Sequence, residues 1–208
     1  MRSWKVILVI CTLLLSSGCR EKPRHRKKEA PVDLSGGVKV FEDDFNRSEI
    51  GENYRNFSGK WTIKDGWLHS AGDDNAGLWL STKIPRNARV EFDARSASPE
   101  GDIKFEIFAA DQSHSTGYIL IMGGWSNSVS IIARKNEHGE DRNESGSVVE
   151  IGKTYRFTVV RNNGVLRWFV DGKPFMEYDD KEPLNGGFFA FNNWRSRLYF
   201  DNLKIYSL

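Results

Sequence analysis

Two tryptophans sit in a setting unlike that of the rest. Trp125 lies in Gly123-Gly-Trp-Ser-Asn127 and Trp194 in Asn192-Asn-Trp-Arg-Ser196, each following an apolar run and each surrounded by Gly, Asn and Ser. An indole presents a flat apolar face, and amide and guanidinium groups next to it exchange hydrogen bonds with hydroxyls. That combination is suited to a sugar ring, whose apolar face stacks while its rim of hydroxyls is read by polar side chains. Trp125, Asn127, Asn192, Asn193, Trp194 and Arg195 are therefore the candidate carbohydrate-binding residues, with a polysaccharide or glycoconjugate as partner. The competing use of such loop indoles is to fold back as anchors over the ends of a sheet. Of the other tryptophans beyond the N-terminus, Trp79 and Trp168 lie inside apolar runs and are expected in the core, while Trp61 and Trp67 flank a turn and are expected to pack on each other across it.

Other chemistry finds fewer residues. Glu91 and Asp93, with Asp102 and Glu106 on the following run, are the carboxylates from which a glycosidase pair would have to be drawn. Alternating charge on a strand face also keeps an ordinary sheet soluble. His69, His114 and His138 stand on separate segments without a His-x-His or His-Glu pairing, so neither a zinc site nor a Ser-His-Asp triad has its base. Glu42, Asp43 and Asp44 near the start of the domain and Asp201 near its end supply oxygen ligands of the kind Ca2+ takes. Asp44 and Asp201 are thus candidate ligands of a structural calcium, the alternative being that they accept backbone hydrogen bonds at strand ends. No other cofactor is indicated.

These residues need a scaffold, and the sequence describes one. From Val38 onward short alternating runs are broken by turn residues every eight to twelve positions, the pattern of an all-β sandwich. Val90, Phe92 and Ala94 alternate with Glu91, Asp93 and Arg95, and Ile103 to Ala109 repeats the alternation. Tyr155 to Arg161, Val165 to Val170 and Lys173 to Tyr178 form a meander whose turns, Asn163-Gly164 and Asp171-Gly172, carry the chemistry tight hairpins need. Further strands are expected at Val38 to Asp43, Trp61 to Lys64, Trp67 to Ser70, Gly77 to Thr82, Tyr118 to Met122, Val129 to Arg134, Ser147 to Ile151, Gly187 to Phe191 and Arg197 to Tyr206. The polar segments Ser70 to Ala76, Ala110 to Ser115 and Lys135 to Ser145 are expected as rim loops.

The chain has 208 residues, 39% hydrophobic and 28% charged, enough for one core and one domain at 38–208. Residues 1–18 read as an export signal: Arg2 and Lys5, an apolar run from Val6 to Leu15, then Ser16-Ser-Gly18. The segment Leu15-Ser-Ser-Gly-Cys19 resembles a bacterial lipobox, which implies cleavage before Cys19 and lipidation of that residue, with 19–37 as a tether and the membrane as a partner. Residues 20–30 hold six Lys/Arg and two acids, +4, and the signal adds +2, so a total of +2 leaves −4 for residues 31–208. A nucleic-acid surface is not indicated. The basic run would reinforce a lipid anchor on anionic headgroups or simply keep the linker extended. The expected location is the bacterial envelope, on the outer membrane where the organism has one, because Arg20 rather than Asp comes after the Cys.

Phe41-Glu-Asp-Asp-Phe45, Gly59-Lys-Trp61 with Asp65-Gly-Trp-Leu68, Trp168-Phe-Val-Asp-Gly172, Pro183-Leu-Asn-Gly186 and Tyr199-Phe-Asp-Asn-Leu203 together resemble the concanavalin A-like lectin and glucanase superfamily, which includes laminin G-like and 3-keto-disaccharide hydrolase-like domains. The resemblance implies a jelly-roll β-sandwich of two antiparallel sheets with carbohydrate contact on a concave sheet or its rim loops. The glucanases of that group carry Glu-x-Asp-x-x-Glu on a strand. Here Glu91-Phe-Asp93 leads to Ser96 where the second Glu would stand, and the acid is lost. The reading is a membrane-anchored, non-catalytic carbohydrate-binding lipoprotein. A glycoside hydrolase of the 3-keto-sugar or glucanase type and an envelope protein-interaction module are the alternatives.

Overall fold

The computed structural model describes residues 34–208 other than Gly59 and Asp73. The export signal at 1–18, Cys19 and the tether as far as residue 33 lie outside the described residues. Fifteen strands occur in order: β1 (Val38–Asp43), β2 (Tyr54–Asn56), β3 (Trp61–Lys64), β4 (Trp67–Ala71), β5 (Leu78–Leu80), β6 (Ala88–Ser96), β7 (Ile103–Ala109), β8 (Tyr118–Gly123), β9 (Val129–Arg134), β10 (Asn143–Ser145), β11 (Tyr155–Asn162), β12 (Val165–Val170), β13 (Lys173–Asp179), β14 (Phe188–Asn192) and β15 (Arg197–Ser207).

They form two antiparallel sheets. One has eight strands in the order β13-β12-β11-β6-β15-β4-β3 with β1 also on β15, and the other runs β10-β9-β8-β7-β14-β5-β2. The fold is the all-β sandwich that the alternation predicts, in the jelly-roll form that the family resemblance implies. The meander β11-β12-β13 is present, and its turns use left-handed backbone at Asn163 (φ 50°), Gly164 (φ 90°), Asp171 (φ 51°) and Gly172 (φ 74°).

Between the sheets the core is aromatic. Phe92 of β6 meets Phe105 of β7 at 5.0 Å, Phe191 of β14 at 5.3 Å and Phe157 of β11 at 5.4 Å between ring centroids, the first two across the sandwich. Edge-to-face contacts of this kind stabilise beyond the area they bury.

Three expectations are corrected. Ser147 to Ile151 is not a strand: Asn127 binds both the N–H and the C=O of Val149 at 2.7 and 2.8 Å, and Ser130 Oγ donates to the Ser147 carbonyl at 2.7 Å, so side chains replace the ladder. The strand beside β9 is instead β10, inside the segment expected as loop. Trp61 and Trp67 do not pack on each other, because Trp61 pairs with Ser70 and Trp67 with Lys64, a register that turns them to opposite faces. Trp61 enters the core against Phe200, and Trp67 lies under Arg95 on the outer face. Last, β2 forms from Tyr54 to Asn56, too short to announce itself by alternation.

Candidate functional site

The site is built on the outer face of the seven-stranded sheet. In β7, Ile103, Phe105 and Ile107 turn into the core, which leaves Lys104 and Glu106 on the other side. The registers align one row of side chains across that face, Asn192, Lys104, Ile121 and Ile131, and beside it a second, Ala190, Glu106, Ile119 and Ala133. Two charged residues are thus set in an apolar field and buried. Such groups are costly unless paired, and loops reaching across the sheet pair them. From the segment after β9, Glu137 receives Lys104 Nζ at 2.9 Å, and Asn75 from the segment after β4 accepts from the same nitrogen at 2.8 Å. Glu106 receives the Asn192 amide at 2.6 Å, the Ser115 N–H at 3.1 Å and His114 Nδ1 at 2.5 Å. His114 Nε2 stands 4.0 Å from Glu137, joining the two groups. The expectation that His114 has no Glu partner is thereby corrected: the fold brings it to Glu106, eight residues away in the chain and on a different segment.

Above this polar row lies a cleft of about 390 Å3 whose walls include both Trp125 and Trp194, with Ile121 and Lys104 beneath and Asn75, Asp102, Glu137 and His138 around it. The indoles are 38% and 45% exposed, uncommonly open for such large rings.

Trp125 owes its position to a left-handed turn. Gly123, Trp125, Ser126 and Asn127 have φ of 67°, 49°, 58° and 58°. Three successive non-glycine residues there are strained, and the surroundings must hold them. Asn127 does so through its two bonds to Val149, and Ser128 closes the turn on the Gly124 carbonyl at 2.9 Å. Only glycine fits at 123, where a Cβ would come within 2.3 Å of Asn127 Oδ1. Arg142 lies over the Trp125 ring at 4.6 Å and His138 meets its edge at 5.5 Å.

Trp194 is held from the other side. Its backbone bridges Asp74, and Asn75 N–H donates to the Asn193 carbonyl at 2.8 Å. Asn193 gives its amide to Ser70 Oγ and the Ser196 carbonyl and takes the Ser196 N–H. Arg195 grips Asp74 at 2.7 and 3.3 Å and covers Trp194 at 5.0 Å.

The six sequence candidates therefore separate. Trp125, Trp194 and Arg195 line one cleft. Asn127, Asn192 and Asn193 do not: Asn192 and Asn193 are fully buried, and the amides of all three are bonded to protein groups. The signal that separates them is absent from the sequence, because an Asn in a loop reads alike whether it faces water or braces a turn. Asn75, Asp102, Lys104, Ile121, Ser126, Glu137 and His138 also line the cleft, and the sequence does not mark them as binding residues for the same reason.

Glu91 and Asp93 are elsewhere. Both are on the outer face of the eight-stranded sheet, held by Arg156 at 2.9 and 3.1 Å, with the core between them and Asp102 or Glu106. They cannot face those residues across one substrate. The candidate calcium ligands have protein partners. β1 and β15 do pair, but Asp44 accepts the Asn46 N–H at 3.1 Å, Asp201 accepts the Asn202 N–H at 2.7 Å, and the neighbouring Asp43 is engaged by Arg47 and Tyr54. Among the described residues no three or more His, Cys, Asp or Glu come together to hold a metal.

Residues 82–204 match the family described as farnesoic acid O-methyl transferase. The chain belongs to that family. The matched stretch begins ahead of β6 and ends within β15, so it takes in the whole cleft floor and both tryptophan turns. No curated protein matches the sequence. Among solved structures, the carbohydrate binding module CBM66 from Bacillus subtilis is similar at a TM-score of 0.63 and 13% identity, over 74% of this chain and 96% of that one. The non-specific endo-β-1,3(4)-glucanase SCLam of family GH16 aligns at 0.65 and 14%, over 86% and 94%, and the endo-β-1,3-glucanase from Pyrococcus furiosus at 0.61 and 11%, over 85% and 97%. At these identities the likeness is one of fold.

Proposed function

We propose that the protein is a non-catalytic carbohydrate-binding module that takes a ring of a polysaccharide or glycoconjugate between Trp125 and Trp194. The observation that carries this is their convergence: indoles nearly seventy residues apart in sequence, each on a braced turn, open onto one cleft. A volume of about 390 Å3 falls within the range of small-ligand sites. The rigid turns mean that little ordering remains to be done on binding, which favours affinity. The carbohydrate-binding module and glucanases that share the fold support the same ligand class. The family's description names a methyl transfer; two indoles over a buried ion pair favour recognition of a ring. Anchorage in the bacterial envelope by a lipid on Cys19 is part of the proposal and rests on the sequence.

The purified chain titrated with soluble polysaccharides should show saturable quenching of tryptophan fluorescence. Trp125→Ala and Trp194→Ala should each weaken binding about fivefold or more, since losing a stacked aromatic ring typically costs more than about 1 kcal/mol. Binding that survives in both variants would place the ligand elsewhere. No binding to any glycan, together with capture of an envelope protein on this face, would make the domain an interaction module.

A further inference from the structure

The outer face of the eight-stranded sheet, on the far side of the core from the cleft, holds a second cluster of aromatic and charged side chains. The registers set His69, Tyr199 and Arg95 in one row across β4, β15 and β6, and Trp67, two residues before His69, shares that face. The Arg95 guanidinium lies over two rings, 4.5 Å from the Tyr199 centroid and 5.0 Å from that of Trp67, and His69 meets Tyr199 at 4.6 Å. Contact with the rings fixes the cation in place but uses none of its five N–H donors. Among the described residues no protein group accepts from it and no carboxylate pairs with it. Its Nε is buried, whereas neither Nη is, so the two terminal groups face solvent with their donors unused.

The nearest acids on this face are engaged elsewhere. Asp93 is held by Arg156 at 3.1 Å and by the Asn202 amide at 2.9 Å, Glu91 by Arg156 at 2.9 Å, and Asp201 accepts the Asn202 N–H at 2.7 Å. Further cations stand beside Arg95 instead. Lys64 and Arg197 are exposed and form no ion pair among the described residues, Arg197 giving one Nη to the Ala97 carbonyl at 2.7 Å. Burial, and then these two cations, hold the His69 imidazole below its ordinary value, which places both of them near the row. Three cations without a counter-charge thus gather around Tyr199, in a stretch, 31–208, whose charges sum to −4.

We infer that this platform is a second glycan site, which takes the carboxylate or sulfate of an acidic sugar on the Nη groups of Arg95. A guanidinium held flat presents its terminal donors side by side, the geometry that two oxygens of one anion match. The half-buried Trp67 and Tyr199 rings border that position and offer apolar surface to the sugar ring. A phosphate headgroup has similar oxygens, but a bilayer laid on this flat face would also meet Glu91, Asp93 and Asp201, which a single glycan chain need not cover.

The test titrates the full chain with oligogalacturonate and chondroitin sulfate fragments, and with an uncharged β-glucan for comparison, on the parent, Arg95→Met, the double variant Lys64→Gln with Arg197→Gln, and Trp125→Ala. At least one acidic ligand should bind saturably and lose affinity as salt is raised. Arg95→Met keeps an apolar stem on the rings and should weaken that ligand about tenfold or more. The double variant changes only exposed side chains; it should weaken the ligand about threefold and flatten the salt dependence. Trp125→Ala should leave acidic binding unchanged. No acidic binding, acidic binding lost in Trp125→Ala, or acidic binding unchanged in an Arg95→Met protein that melts as the parent does would each overturn the inference. If Arg95→Met melts lower, the double variant decides, and unaltered affinity and salt dependence there overturn it. Binding of the uncharged glycan, and its loss in Trp125→Ala, judges the cleft separately.

Discussion

Asp102, at the cleft, is 6% exposed, and its Oδ2 is buried without a hydrogen-bond partner among the described residues. Burial disfavours the ionised carboxylate and the nearby Glu137 adds to the effect, and although Lys104 and the Trp194 N–H act against them, the group is pushed up to about 6 from an ordinary 3.8. A carboxyl whose folded value lies above its unfolded one binds its proton more readily in the native state. Stability from this group is therefore greatest below about pH 4 and falls as pH rises through 6, after which the loss is complete. The gap corresponds to about 3 kcal/mol at neutral pH. Asp102→Asn removes the titration, so it should raise the free energy of unfolding by about 1–3 kcal/mol at pH 7.5 and have much less effect at pH 4, as read by urea denaturation at both. Equal effects at the two pH values would show that the carboxyl is not strained in the fold. Nothing in the sequence distinguishes this Asp from its neighbours. Ile103 to Ala109 alternates, but whether the polar half of the alternation faces water or lies under loops depends on where residues 111–117 and 135–142 come to rest, and local pattern carries no such information.

What is legible in the sequence lies at the level of elements, and for a physical reason. Strand alternation and Asn-Gly or Asp-Gly turns are local, so β6, β7 and the β11-β12-β13 meander can be read with bounds close to those observed. Ser147 to Ile151 has the composition of a strand and fails to be one because Asn127 and Ser130, distant in the chain, take the backbone groups a ladder would need. Tertiary bonding overrides the local preference there, and the same bonds hold the Trp125 turn. The two sheets, in turn, are registered by the aromatic cluster around Phe92, which touches Phe105, Phe157, Phe189, Phe191 and Phe200 from β7, β11, β14 and β15. Phe92→Ala opens a cavity among those four strands and should cost about 3–5 kcal/mol, seen as a lowered denaturation midpoint with little change in slope. Because Asn192 comes directly after Phe191 on β14, the same variant should also loosen the floor of the cleft and weaken glycan binding more than an outer-face change such as Thr62→Ala. A cost below about 1 kcal/mol would mean that the cluster repacks and that register is set elsewhere.

At the scale of the molecule, binding depends on presentation. The sandwich places its cleft at one end of the seven-stranded sheet, where the turn after β8 and the turn after β14 emerge side by side, and a module of this kind works only if that end is presented to its glycan. On the proposed lipid anchor, a lipid on Cys19 with the six Lys and Arg of residues 20–30 next to it would hold the domain at a bilayer with two signals rather than one, the condition for stable rather than transient attachment. The −4 of the remainder would then keep the domain off an anionic surface and its cleft open to solution. Expression of the full chain in a bacterial host and separation of membrane from soluble fractions tests this directly. Cys19→Ala should move the protein from the membrane to the soluble fraction, whereas replacing the basic residues of 20–30 by Ser should leave it membrane-bound but more readily extracted by salt. Retention of Cys19→Ala on the membrane would refute the lipid anchor, and a salt response unchanged by the second variant would reduce residues 20–30 to a spacer.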